Sequence, residues 1–215
     1  MIFEIKEKKD KFLEDSYRKS MKELDGFFEI GWIRNTPSVC VVPDRKTIDK
    51  LYHQKTEKWL VAWARTSSRI IYILNRKNFE KESDHKYSKE KYYALIKHEL
   101  SHMFISTYLK SSSIKPYWLD EGVAIYLSGQ NKFKKPINKF NKFLEFYHKY
   151  GKEIYNESGF FIELLVKKFG KNKLLELIKS LKEIESEKEF NKKFKQIYGF
   201  DLDYEEINKI FWEGK

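Results

Sequence analysis

Two histidines stand four residues apart in the run His98-Glu99-Leu100-Ser101-His102. On a helix, positions i and i+4 share a face, with Cβ atoms about 6 Å apart. Imidazoles so placed can reach one small cation, at about 2.0–2.1 Å each for zinc. Glu99 follows the first histidine and can face the same place without being a ligand. A carboxylate there suits a general base acting on water held by a metal. The flanks are apolar, with Leu95 and Ile96 before and Met103, Phe104 and Ile105 after. Such a helix is buried over much of its circumference, where unpartnered histidine and glutamate are costly and a metal offsets the cost. By itself the five-residue pattern also occurs in helices whose histidines are solvated or hydrogen-bonded.

A catalytic zinc commonly has three protein ligands and keeps one position for water. Glu121 is the candidate third ligand, in the run Trp118-Leu119-Asp120-Glu121-Gly122-Val123-Ala124, with eighteen residues between it and His102. That separation allows a loop and then a second helix packed across the first, with the carboxylate near its start. Alone, Glu121 would be a helix N-terminal acid stabilised by the dipole. Taken together, His98, His102 and Glu121 predict a site for one Zn2+ per chain, with Glu99 as the base beside it.

These runs resemble the gluzincin metallopeptidases, the clan with HExxH and a downstream Glu that includes thermolysin. Within it they are most similar to the small peptidase MA-like domains, whose pattern runs HELxH and then Trp-Leu-x-Glu-Gly-x-Ala. The likeness continues from Tyr155 to Gly170 and from Phe190 to Trp212, so it spans about residues 90–213. It implies an α+β, zincin-like fold and a zinc peptidase in which His98, His102 and Glu121 hold the metal. In that family the zinc acidifies a water and polarises the scissile carbonyl. Glu99 would take the water's proton and pass it to the leaving amine. A further electrophile must meet the oxyanion. Gluzincins draw it from a Tyr or His of the C-terminal part, which implies Tyr155, with His148 as the alternative. Thermolysin-like members orient a histidine with an Asp four residues after the ligand Glu; this chain has Ile125 there, leaving Asp120 either to substitute or merely to cap the second helix. The Gly-x-Met-Glu-Asn segment of the clan's aminopeptidases is missing from the sequence, which argues against an aminopeptidase, and an extended peptide or protein substrate added to a strand edge would favour an endopeptidase.

The elements that must position these residues read outward from the motif. Ser88 is a helix N-cap, and apolar residues from Tyr92 to Phe104 recur at helical spacing. The run Lys110–Pro116 breaks that helix, and a second spans about 117–128, ending before Gly129. Upstream, Phe12, Leu13, Tyr17, Met21 and Leu24 predict an amphipathic helix ending near Gly26. Ser38–Val42 reads as a strand, Asp44 as the cap of a short helix carrying Ile48, Leu51 and Tyr52, and Trp59–Trp63 with Arg69–Leu74 as a hairpin turning at Thr66-Ser67-Ser68. Its edge could receive an extended peptide. Residues 75–87 read as loop. Downstream, helices are expected near 136–150, 157–169, 172–185, 187–198 and 203–213, with Gly151, Gly170 and Gly199 as C-terminal caps. The expected organisation is an α/β subdomain over 1–110, a small sheet plus the motif helix, and a helical subdomain over 111–215 supplying the third ligand. The cleft lies between them near residues 100–120.

Composition narrows the alternatives. The 215 residues are 41% apolar and 17% aromatic, enough for a core and against disorder. The net charge of +11 fits a nucleic-acid binder, but only six of the 43 basic residues are Arg, the residue that grips phosphate bidentately. Lysine mixed with glutamate reads instead as solvated helix surface, and no specific nucleic-acid partner is expected. Cys40 is the only cysteine, so no internal disulfide forms. The first residues lack a secretory apolar stretch, no run reaches transmembrane length, and a cytoplasmic protein without a membrane partner is the expectation. Besides the peptidase, two readings stay open. One is a silent or latent metal-binding domain, with the first 30 residues as a plug. The other is a basic nucleic-acid binder with a chance motif.

Overall fold

Side-chain caps set the helix starts. In the computed structural model, which describes residues 7, 9–109, 115–151 and 153–213, Asp10 accepts from the Leu13 N–H and opens α1 (Lys11–Phe28). Asp44 accepts from Thr47 N–H and opens α2 (Arg45–Tyr52), and Ser88 accepts from Lys91 N–H and opens α3 (Lys89–Ser106). Each satisfies a donor that the first turn leaves without an intrahelical partner. Then follow α4 (Tyr117–Ser128), α5 (Ile154–Phe169), α6 (Lys171–Ser180), α7 (Glu187–Tyr198, capped by Ser186) and α8 (Tyr204–Glu213).

Three strands form one mixed sheet in the order β1 (Ser38–Val42), β3 (Ile70–Leu74), β2 (Ala62–Arg65). β1 runs parallel to β3 with Ser38 opposite Ile70, while β2 runs antiparallel with Ala62 opposite Ile73. Ile71, Ile73 and Leu74 are fully buried, as the β-branched run of the central strand requires. β2 is therefore an edge strand. The chain is an α+β protein, with helices after the sheet as expected.

Several boundaries move, those of β2 and α1 for identifiable reasons. β2 starts at Ala62 rather than Trp59, because Arg45 claims the preceding backbone: its guanidinium donates to the carbonyls of Glu57, Lys58 and Leu60. α1 passes Gly26 to Phe28, whose buried ring stacks on Phe104 at 5.5 Å. α5 begins at Ile154, and α6 gives way to a 3-10 turn over Leu181–Glu183.

The helix expected over 136–150 does not form; only Phe143–Glu145 makes a single 3-10 turn. Glu157 accepts from the N–H groups of Asn141, Lys142 and Phe143. The Asn208 side chain brackets Phe140 through both its N–H and its carbonyl, and the Tyr204 hydroxyl accepts from Leu144 N–H. Backbone groups that a helix would pair internally are taken by distant side chains. Gly151 consequently ends no helix, whereas Gly170 and Gly199 follow α5 and α7 as expected.

One hydrophobic cluster runs from Met21 in α1 to Ile210 in α8. Trp118, fully buried, meets Phe143, Phe161 and Phe190 with ring centroids 5.3, 5.6 and 5.9 Å away. α4 and α5 lie unusually close through two glycines. A Cβ at Gly122 would stand 2.8 Å from the Ser158 carbonyl oxygen, and one at Gly159 would stand 2.2 Å from Ile125 Cγ2. α1 covers α3 from one side, where Glu23 accepts from Lys97 Nζ at 2.6 Å and from the Tyr93 hydroxyl at 3.0 Å. Among the described residues, no helix is long and apolar enough to cross a membrane.

Candidate metal centre

α3 is buried all round at its centre: His98, Glu99, Leu100 and Ser101 are consecutive buried residues. Such a helix must find partners for its polar groups on every side. On one side stands the start of α4. Its first N–H groups are paired outside the helix, with Tyr117 and Trp118 donating to the carbonyls of Tyr147 and Phe146. These bonds, with the buried Trp118 ring, fix the turn that carries Asp120 and Glu121.

Three side chains converge there. His98 Nε2 lies 3.3 Å from one Glu121 carboxylate oxygen, His102 Nε2 lies 3.8 Å from the other, and the two imidazole Nε2 atoms are 3.2 Å apart. One ligand atom from each of the three residues falls within 4.8 Å of the others. Glu121 Oε2 is buried without a hydrogen-bond partner, and so are the Nδ1 atoms of both histidines. Two imidazole nitrogens and a carboxylate, buried and aimed at one point, are a donor set that a divalent ion satisfies. The residues present can hold a metal ion.

Asp120 stands behind this set. Its Oδ2 approaches His102 Nδ1 to 3.2 Å, without the alignment of a hydrogen bond, and accepts from Lys115 Nζ at 2.5 Å. Burial alone would raise the Asp120 pKa, but the charges of His102 and Lys115 outweigh it and hold the carboxyl well below the usual range. Burial opposes charge on His102 too, yet Asp120 and Glu121 win and push its pKa up to about 9. The negative potential that favours a proton on His102 favours a cation in the same place. Burial raises Glu99, with His98 and His102 pulling the other way. Ile125, the position four past Glu121, is fully buried against Gly159, so the carboxylate beside His102 is Asp120.

The centre opens on a cleft between the β2 side of the sheet and the helices. It has two lobes, of about 440 and about 430 Å3. Trp59, Leu60, Ala62, His98, Glu99 and Tyr155 line both, so the lobes are continuous at Glu99. The first also takes in His102, Asp120 and Glu121. None of the described residues of α1 lines either lobe.

The structure thus brings together His98, Glu99, His102, Glu121 and Asp120, with Tyr155 on the cleft wall. His148 is elsewhere, exposed and 3.3 Å from Glu187. Tyr150, which no sequence feature singled out, and Tyr52, read only as an apolar position of a short helix, line the lobe that holds the ligand set. The Tyr150 ring stacks on Trp59 at 6.4 Å and meets Tyr155 edge-on at 6.1 Å. Burial, reinforced by Glu121 and Glu99, raises its hydroxyl pKa far above the ordinary tyrosine value, so it keeps its proton. No protein-family model, curated protein or solved structure matches the chain.

Proposed function

We propose that this chain is a zinc-dependent, zincin-type peptidase, and an endopeptidase. The observation that carries the reading is the convergence of His98, His102 and Glu121 beside a buried carboxylate, Glu99, that is outside the donor set yet lines both lobes of the cleft. His98, His102 and Glu121 would hold the ion. When bound, zinc supplies Lewis acidity toward a carbonyl and acidifies water.

The remaining roles belong to the chain's own groups. Glu99 accepts a proton from the attacking water and returns it to the leaving amine; burial raises its pKa above the ordinary carboxylate value, which strengthens it as a base. Tyr155, on the wall shared by both lobes, donates its hydroxyl hydrogen toward the oxyanion. The substrate lies extended along β2: that strand has β3 on one side only, and Ala62 lines both lobes. A peptide added to such an edge is held by main-chain hydrogen bonds and needs no free terminus.

The test pairs elemental analysis with cleavage of an unbiased peptide library. One zinc per chain and cleavage by the wild type are expected, and Glu99→Gln should keep the metal and lose the cleavage. An active Glu99→Gln protein would sink the proposal.

A further inference from the structure

The two lobes differ in charge. The lobe holding the ligands sets Lys115 against Glu99, Asp120 and Glu121. In the other, Glu99 is the single carboxylate, facing Lys86, Lys91 and Lys134 across an apolar floor that includes Phe79, Leu95 and Phe133. Among the described residues, none of these three ammonium groups pairs with a carboxylate. Lys134 donates to the Tyr155 carbonyl, and Lys91 sits 5.8 Å from the centre of the Phe133 ring. Some lysines of this chain do pair, as Lys97 does with Glu23 and Lys195 with Asp201.

We propose that this lobe is a subsite for a carboxylate of an extended peptide, borne by an acidic side chain or by the C-terminus. The inference rests on the peptidase reading for the identity of the bound chain, but anion binding itself does not depend on cleavage. Lys134, half-buried at the apolar floor, is less screened than the exposed Lys86 and Lys91, so an entering carboxylate gains most beside it. The walls accept its methylene groups. Burial lowers the Lys134 pKa to about 8, and Glu121, which opposes that shift, forms no ion pair with it among the described residues.

Position follows from helix geometry. Lys91, Leu95 and Glu99 are spaced by fours along α3, on one face. Lys91 is about 12 Å from Glu99 along the axis, at about 1.5 Å per residue. Extended peptide covers that in about three to four residues, fewer once the lysine side chain reaches back. The preferred anion therefore lies about two to four residues from the bond at Glu99. If the anion is the C-terminal carboxylate, the same spacing gives release of short C-terminal pieces, and the endopeptidase part of the proposed function falls.

The test is peptide binding to the Glu99→Gln chain in zinc buffer, read by fluorescence anisotropy. One arm scans a single Glu, against Gln, through N-acetylated, C-amidated peptides. The other compares a neutral peptide as free acid and as amide. One placement of the anion should bind about tenfold tighter than its neutral counterpart, about 1.4 kcal/mol. Lys86→Gln and Lys91→Gln, both at exposed positions where folding is not at stake, should each remove most of that preference, as should Lys134→Gln. Lys188→Gln, outside the cleft, should leave it intact. Equal binding of Glu and Gln peptides and of acid and amide overturns the subsite. So does a preference that Lys188→Gln erodes equally, which would be the pull of the +11 net charge. Anion preference without any wild-type cleavage keeps the subsite and removes the peptidase; cleavage without the preference does the reverse.

Discussion

Asp120 Oδ2 lies 3.2 Å from Nδ1 of His102, while Glu121, the next residue, turns its carboxylate toward Nε2 of the same ring. Consecutive residues of one helix turn therefore serve opposite nitrogens of one imidazole. A carboxylate beside Nδ1 favours the proton on that nitrogen and leaves Nε2 to face the centre. Asp120→Ala should weaken metal affinity by about 10–100-fold, the range found when such an outer partner is lost. Lys115→Met should cost less, because Lys115 reaches the ring only through Asp120. Competition with a chelator of known affinity measures both. Equal affinity of wild type and Asp120→Ala would reduce Asp120 to a bystander.

Tyr155 and Tyr150 share the cleft, and their roles separate by kinetics. A phenol that meets charge developing in the transition state affects kcat and leaves KM nearly alone. Tyr155→Phe keeps the ring against Tyr150 and should lower kcat by about 100-fold or more, the usual loss for one oxyanion donor. Tyr150→Ala, which removes the ring that packs along the cleft on Trp59, should act chiefly on KM. The opposite pattern in steady-state kinetics would exchange the two assignments.

Glu157 ties the segment after α4 to the metal centre. Its carboxylate accepts three consecutive backbone N–H groups, and this segment's Phe146 and Tyr147 carbonyls in turn receive the first N–H groups of α4. Bonds to a charged acceptor are each worth about 1.5–3 kcal/mol and do not simply add. Glu157→Ala should cost about 2–4 kcal/mol by urea denaturation, and Glu157→Gln less, on the same grounds. Metal affinity should fall as well, because the turn bearing Glu121 loosens. Unchanged stability in Glu157→Ala would mean that those N–H groups find other partners.

The same segment shows where sequence reading stops. Phe140, Phe143 and Tyr147 have helical spacing, and a helix there was the reasonable expectation. The groups that override it, Glu157, Asn208 and Tyr204, lie between 14 and 68 residues away. Local periodicity carries no trace of them. Helix starts at Asp44 and Ser88 were legible because cap and capped N–H are three residues apart. For the same reason His98, Glu99 and His102 were legible, being one helix face, and Glu121 followed from its distinctive run. Tyr150 and Lys134 were not, since only the folded chain brings them to the cleft.

Lys134 gives a pH dependence with a definite sign. Burial pushes its pKa down from the ordinary 10.5 to about 8, with Glu121 resisting the shift. Between those values the unfolded chain binds the proton and the folded chain does not, so folding stability rises with pH across that window. Below about 8 both states are protonated and the burial penalty is present in full; above 10.5 both are neutral and it is gone. Other groups titrate in the same range, so the informative quantity is the stability of the wild type minus that of Lys134→Gln, measured by urea denaturation of chelator-treated protein at pH 7 and pH 10. That difference should increase with pH. A flat difference would show that Lys134 stays hydrated, and a decrease would show that it has a counter-charge in the folded chain, which would also count against an empty anion subsite around it.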